Sequence, residues 1–251
     1  MIYSFIRKGC GFLVLAALVI LFFQSSLMAQ GLILNHTGTI RVTKPDGVVL
    51  VIEPGQALPD IPSGSRVEVL NGSIEIEPAE GFIQLVLGGS VATVKAGDSL
   101  SASIDEKTGI ADLKVKTGQV NVITGNTTTT IGAGQQAQVG LDKVTGITTV
   151  KSIAGTIETV TVGVKAVIPE GAIIKLRADA KTRNVHVECV KGAINVVTID
   201  GKAIELKEGE PMDTPGSAEG EIQTFEEQES RFEPVEEPPE PERPEASPHR
   251  P

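Results

Sequence analysis

"VEVLNGSIEIEP", residues 67–78, reads as two runs of alternating apolar and polar residues hinged on Asn71-Gly72. Strict alternation is the period of a half-buried β-strand, and Asn-Gly is a dipeptide suited to the positive φ angles of a two-residue hairpin turn. Built as a hairpin on that turn, Val69 faces Ile74 and Val67 faces Ile76. The four apolar side chains then share one face, with Glu68 and Glu75 opposed on the other.

The same pattern recurs. Matching segments start at Thr37 (TGTIRVTKPDG), Asn71 (NGSIEIEPAEG), Thr117 (TGQVNVITGN), Ala154 (AGTIETVTVG) and Lys191 (KGAINVVTIDG), and each runs on to a further glycine, the last three at Gly134, Gly171 and Gly209. Gly118, Gly155 and Gly192 are spaced by 37 residues, so the chain is read as an internal repeat. Hairpins on Thr117-Gly118 and Lys191-Gly192 would pair Val115 with Val120 and Cys189 with Ile194. At Thr37-Gly38 and Ala154-Gly155 the expected partners are mixed, Asn35 with Ile40 and Ser152 with Ile157. "PDG" at 45–47, "TGN" at 124–126 and "DG" at 200–201 are expected second turns.

The opposite parity carries Glu68, Glu75, Lys114, Asn121, Glu188 and Asn195, which suits sheets wet on one side. Helix-period stretches with caps are nearly absent. The expected fold is all-β, a repeated antiparallel β-meander of about five three-stranded units. These form an elongated solenoid-like or sandwich body over residues 32–213, with 32–140 a first domain and 141–213 continuing the repeats.

Both termini differ from this body. Arg7 and Lys8 precede an apolar run from Gly11 to Phe23 and a polar, small stretch to Ala29, the layout of an export signal over residues 1–29. Its 13 apolar residues fall short of a spanning helix, so cleavage is favoured, with an anchor over 11–29 as the alternative. From Thr214 onward 11 Glu stand against 3 Arg, a net of −8 within the chain's −10, which places the acidity in the segment 214–251. Seven prolines in the 18 residues from Pro234 complete a composition that cannot offset ordering entropy, and a disordered tail is expected there.

Export leaves Cys189 as the one cysteine of the mature chain, so no internal disulfide is expected. Phe82 is the one aromatic between residues 30 and 213, and no basic patch interleaved with aromatics occurs, which argues against nucleic acid and against sugar or nucleobase stacking. His36, His186 and His249 are too scattered for a metal site. By parity His186 is a surface residue and Cys189 a core thiol. Glu68 facing Glu75 could form an acid–base pair, but a solvated face with Arg66 and Glu77 nearby is the plainer reading. Thr127–Thr130 could present a hydroxyl ladder to a flat polymer, against the plainer reading of a good strand. Asn35, Asn71 and Asn126 stand in glycan-acceptor triplets. No catalytic, cofactor-binding or metal residue is assigned.

The order "TGTIRV…VIEPGQAL", "IPSGSRVEV", "GFIQLVLGGSVATVKAG" and "LKVKTGQVNVITGNTTTTIGAGQQAQV" resembles the FecR-like domain, named for the ferric citrate regulator of bacterial envelopes, over roughly residues 37–140. The resemblance implies an exported β-rich module for protein contacts or envelope signalling and not an enzyme. The regulators carry a cytoplasmic anti-sigma segment ahead of their membrane helix, where this sequence has about ten residues before the apolar run. The expected role is therefore a periplasmic or extracellular scaffold for an envelope protein partner, with no cofactor. Self-association through sheet edges into a structural assembly is the alternative, and an envelope polysaccharide module is a third reading.

Overall fold

The structure, a computed structural model, describes residues 31–217; the expected export signal and the tail beyond 217 lie outside them. Among the described residues there is no helix, and the body is all-β, built from two sheets of nine and eleven strands. Strand β1 (Gly31–His36) opens the nine-stranded sheet, while β2 (Ile40–Thr43), β3 (Val49–Ile52) and β4 (Arg66–Val69) belong to the eleven-stranded one. Strand β5 (Gly72–Pro78) returns to the first sheet, and β6 (Phe82–Leu87) lies parallel to β4, all other pairings being antiparallel.

From β6 onward the path is regular. Hairpins β6–β7 (Ser90–Lys95), β10 (Gln119–Thr124)–β11 (Thr127–Gly132), β14 (Ile157–Thr161)–β15 (Val164–Ile168) and β18 (Ala193–Val197)–β19 (Ala203–Lys207) build the larger sheet. Between them, β8 (Ser99–Ile104)–β9 (Ala111–Thr117), β12 (Gln136–Asp142)–β13 (Ile147–Ala154), β16 (Ile173–Ala178)–β17 (Asn184–Lys191) and the last strand β20 (Pro211–Pro215) build the smaller. Each 37-residue period thus holds four strands, two for each sheet. The inward side chains of both sheets form one aliphatic core from Ile40 to Leu206, which runs without a break through residue 140. The last strand extends two residues past the expected end of the body at 213.

Asn71-Gly72 does not close a hairpin. Strands β4 and β5 lie in different sheets, and their shared turn carries the chain around the side of the core. Asn71 Oδ1 accepts the Thr39 N–H at 2.8 Å, tying this corner to the one at Thr37-Gly38. The two corners touch backbone to backbone: a Cβ on Gly72, whose φ is +77°, would stand 2.8 Å from Gly38 Cα. The other four expected hairpins, at Gly38, Gly118, Gly155 and Gly192, are corners as well. A hairpin sets Val69 beside Ile74 on one sheet, whereas a corner sets them across the core, and both need the same parity. Hence Val67, Val69, Ile74 and Ile76 are buried as expected, while the pairing expected between them is absent. The second turns are the hairpins: β2–β3 closes over "PDG", β10–β11 over Gly125-Asn126, and β18–β19 over Asp200-Gly201.

The corners share a construction. Pairing skips one residue just before them, at Lys116 (Ser99↔Thr117, then Leu100↔Val115), Ile153 and Val190, so that a β-bulge bends each strand where it leaves its sheet. The returning corner is stitched to the strand beside it, with the N–H of Gly134, Gly171 and Gly209 donating to the carbonyls of Val115, Ser152 and Cys189 at 2.9, 3.0 and 2.7 Å. Ser152 Oγ donates to Gly155 O at 2.6 Å, and the Cys189 thiol lies 3.5 Å from Gly192 O in the equivalent place one period on. Cys189 therefore occupies a site that takes Val, Ser or Cys. Cys189→Ser is expected to lower stability by no more than about 1.5 kcal/mol in denaturant unfolding, since the hydroxyl gains the acceptor that Ser152 uses. A loss above about 3 kcal/mol, the scale of a buried group left unsatisfied, would contradict the equivalence.

Candidate functional site

The carboxylate pair read from the sequence is not formed. Glu68 projects from the larger sheet and pairs with Arg41 at 2.9 Å, while Glu75 projects from the smaller sheet and pairs with Lys116. The core lies between them, as it does between Arg66 on β4 and Glu77 on β5. Burial lowers the affinity of Arg66 for its proton, with Glu68 opposing that effect.

The remaining candidates are structural. Cys189 is fully buried, and burial followed by the charges of Glu208 and Glu210 pushes its thiol up, against the Lys191 backbone, so the thiolate is disfavoured. His186 sits half-buried on the outer side of the smaller sheet, with Nδ1 2.9 Å from Asp213 Oδ1. His36 Nδ1 lies 2.8 Å from Gly38 O, beside a corner. Among the described residues no three His, Cys, Asp or Glu side chains converge as a metal site. Asn71 spends its side chain on Thr39.

Thr127–Thr130 divides between two faces. Thr127 and Thr129 point into the core, where Thr127 bonds Thr161 at 2.8 Å, next to Ser90 bonded to Thr124 at 2.7 Å. Only Thr128 and Thr130 face outward, with Thr130 donating to Asn121 at 3.0 Å, so the hydroxyl ladder is not presented to a partner.

The outer faces of the two sheets differ in chemistry. The smaller sheet is covered by polar and charged groups, including Asp112 accepting from Gln136 at 2.7 Å and Gln138 at 3.0 Å, and Lys175 facing Glu188 at 3.9 Å. The larger sheet carries a transverse row in which register places Val86, Val91, Ile123, Thr128 and Val160 side by side across five strands, a span of about 19 Å. Val86 and Val91 are at least half-buried, but Ile123 and Val160 are 48% and 41% exposed. Asn121 marks a polar face in the sequence pattern, and the row is not visible there because Val91 and Ile123, and Thr128 and Val160, stand 32 residues apart and meet only through register.

Comparison with known proteins adds little. No protein-family model matches the chain, and no curated protein does. Among solved structures it is similar to a mutant of the TCP10 domain of CPAP from Danio rerio, 15% identical over 71% of this chain and 90% of that one, with a TM-score of 0.14. That score supports no inference about fold or role.

A second repeated device lies on the smaller sheet. Asp105, Asp142 and Asp179, each 37 residues after the last, open its three hairpins. Their Oδ1 atoms accept backbone N–H groups two residues on, at 2.9 Å from Lys107, Val144 and Lys181. Bonds from the Lys107 backbone, the Thr145 side chain and the Thr182 backbone respectively do most to hold these carboxyls below the usual range. A lower folded-state pKa means that their stabilisation is present above the unfolded value, about 3.9, and is lost as pH falls through and below it. Thermal melts should show Tm declining below about pH 4.5, and the triple variant Asp105→Asn, Asp142→Asn, Asp179→Asn should show a shallower decline. An unchanged acid slope in that variant would assign the decline to other groups. In the core, Thr129 and Thr159 face each other with hydroxyls that have no partner. Replacing both with Val should raise stability by about 1–2 kcal/mol in the same denaturation assay, and a loss would show that the hydroxyls are satisfied.

Proposed function

We propose that this protein is an exported, non-enzymatic envelope scaffold of the FecR-like type, whose larger sheet binds another envelope protein. The reading is supported first by the transverse row Val86–Val91–Ile123–Thr128–Val160, whose Ile123 and Val160 stand exposed on a rigid, regularly hydrogen-bonded face. Exposed β-branched side chains on a preformed sheet offer area without an ordering cost, and aliphatic groups set between Glu68 and Lys165, which register places at the two ends of the row, suit a protein surface more than a sugar. The reading is also supported by how the candidate reactive groups are used: Cys189 is sealed in the core, Glu68 and Glu75 are each paired with a cation, and His186 is bound to Asp213. The signal-like residues 1–29 and the FecR-like motifs over 37–140 motivate the placement in the envelope.

The test compares the wild-type chain with Ile123→Glu, Val160→Glu as bait in envelope extracts. Both positions are half-exposed, so the fold should survive, as circular dichroism would verify. A stoichiometric protein retained by the wild type and lost from the variant is expected. Retention of the same proteins by both forms would remove the row from the interface, and retention of none by either would remove the scaffold reading.

A further inference from the structure

The four strands that end the two sheets are not alike. At one end of the body, β20 begins and finishes with Pro211 and Pro215, which have no N–H to offer, and β19 carries Glu205 and Lys207 on its outer side. Proline and charge are the usual guards against pairing of an open edge with another chain. At the other end β3 reads Val-Leu-Val-Ile, with no charge, no proline and no bulge in its register with β2. Its outward side chains, Val49 and Val51, are 42% and 53% exposed. The adjoining edge of the smaller sheet, β1, likewise has neither charge nor proline in Gly-Leu-Ile-Leu-Asn-His.

The hydrogen-bonding phase of β3 follows from its turn. Lys44 N–H donates to Val48 O at 2.9 Å, and the register continues as Val42↔Leu50 and Ile40↔Ile52. Bonded and non-bonded pairs alternate in an antiparallel ladder, so Leu50 and Ile52 exchange bonds with β2. The peptide groups of Val49 and Val51 then point away from the sheet, donors and acceptors with no strand of the described residues beside them.

The geometry points to a second copy of this chain as the occupant: β3 pairs antiparallel with β3 of another molecule about a two-fold axis through Leu50. In that register Val49 bonds Val51 of the second copy, and Val51 bonds Val49 of the second copy, through four main-chain hydrogen bonds. Leu50 lies opposite its own counterpart as a non-bonded pair. Val49 and Val51 of both copies stay on the outer face and Leu50 on the inner, whereas a slip of one residue would reverse the faces. Because the opposite end is guarded, the pairing closes at two copies instead of extending head to tail. A four-residue edge buries less than the roughly 1,200 Å² of stable assemblies, so the dimer is expected to be weak and concentration-dependent. The proposal does not depend on what the apolar row of the larger sheet binds.

Sedimentation velocity of the purified chain over a concentration series is expected to show a monomer–dimer equilibrium with no larger species. Val51→Lys, which sets a charge on an exposed position of the edge, should leave a folded monomer. Leu50→Cys, in a chain that also carries Cys10→Ser, should give a covalent dimer on mild oxidation, since facing residues of a non-bonded pair lie about 4.5 Å apart at Cα and the native Cys189 is buried. A monomer at every concentration, species that grow beyond two, or a dimer indifferent to Val51→Lys would each overturn the proposal. So would failure of Leu50→Cys to crosslink when Ala203→Cys on β19 does.

Discussion

A chain that crosses from one sheet to the other after each hairpin from β6 onward must keep its inward alternation through each corner, because both flanking strands bury their side chains in the same core. That constraint governs the molecule. It requires corners that turn the backbone without using space, met at Gly38 and Gly72 by direct backbone contact and at Lys116, Ile153 and Val190 by a bulge before the bend. It also explains the composition. With strands drawn from two opposed layers and no aromatic in the core of the described residues, the core is closed by aliphatic side chains from both sheets, such as Ile74 and Leu100 from one and Val67 and Leu85 from the other.

The same constraint decided what could be read from sequence. Parity is common to hairpins and corners, so the buried column and the solvent-facing Glu68, Glu75, Asn121 and Asn195 were legible before any coordinates. Pairing is a different quantity. Asn71-Gly72 has the residues of a hairpin turn, yet Asn71 serves as a hydrogen-bond acceptor for a neighbouring corner and Gly72 as a point of close approach. Neither role leaves a mark within a 12-residue window. The 37-residue period was visible at Gly118, Gly155 and Gly192, but it holds a second hairpin whose signal is Asp105, Asp142 and Asp179, a side chain capping its own turn. The exposed row Val91–Ile123–Val160 was illegible for the simplest reason: it is assembled by register across the sheet and not along the chain.

The two outer faces show how one repeat can give two surfaces. On the smaller sheet the outward positions are filled with ion pairs and amide–carboxylate bonds, such as Gln136 and Gln138 on Asp112, which satisfy one another and remain solvated. On the larger sheet the outward positions at the hairpin tips include Val91, Ile123, Thr128 and Val160, and polar cross-strand bonds also form inward, between Ser90 and Thr124 and between Thr127 and Thr161. Inward hydroxyls and outward methyls on β10, β11 and β14 reverse the ordinary sheet pattern at those positions.

A regular repeat has no internal reason to stop, and the last period shows how this one does. Gly88 and Gly125 hold the left-handed position of two larger-sheet hairpins, and Gly109 and Gly146 that of two smaller-sheet hairpins. In the last full period, which β18, β19 and β20 follow, the equivalent residues are Val162, at φ 46°, and Arg183, at φ 59°, conformations that cost a residue bearing a Cβ about 1–2 kcal/mol. Both are gripped by the segment that follows β20. Gly216 N–H donates to Arg183 O at 2.9 Å, Ser217 N–H to Val162 O at 2.7 Å, and Arg183 Nε returns a bond to Ser217 O at 3.0 Å. A Cβ on Gly216 would stand 2.5 Å from Arg183 O, so glycine is needed at the clasp, while Gly163, at φ 84°, keeps its place in the turn beside Val162. The strain in Val162 and Arg183 is thus tied to the end of the array. Their carbonyls are occupied by the N–H groups of Gly216 and Ser217, and Pro215 of β20 lies directly before them.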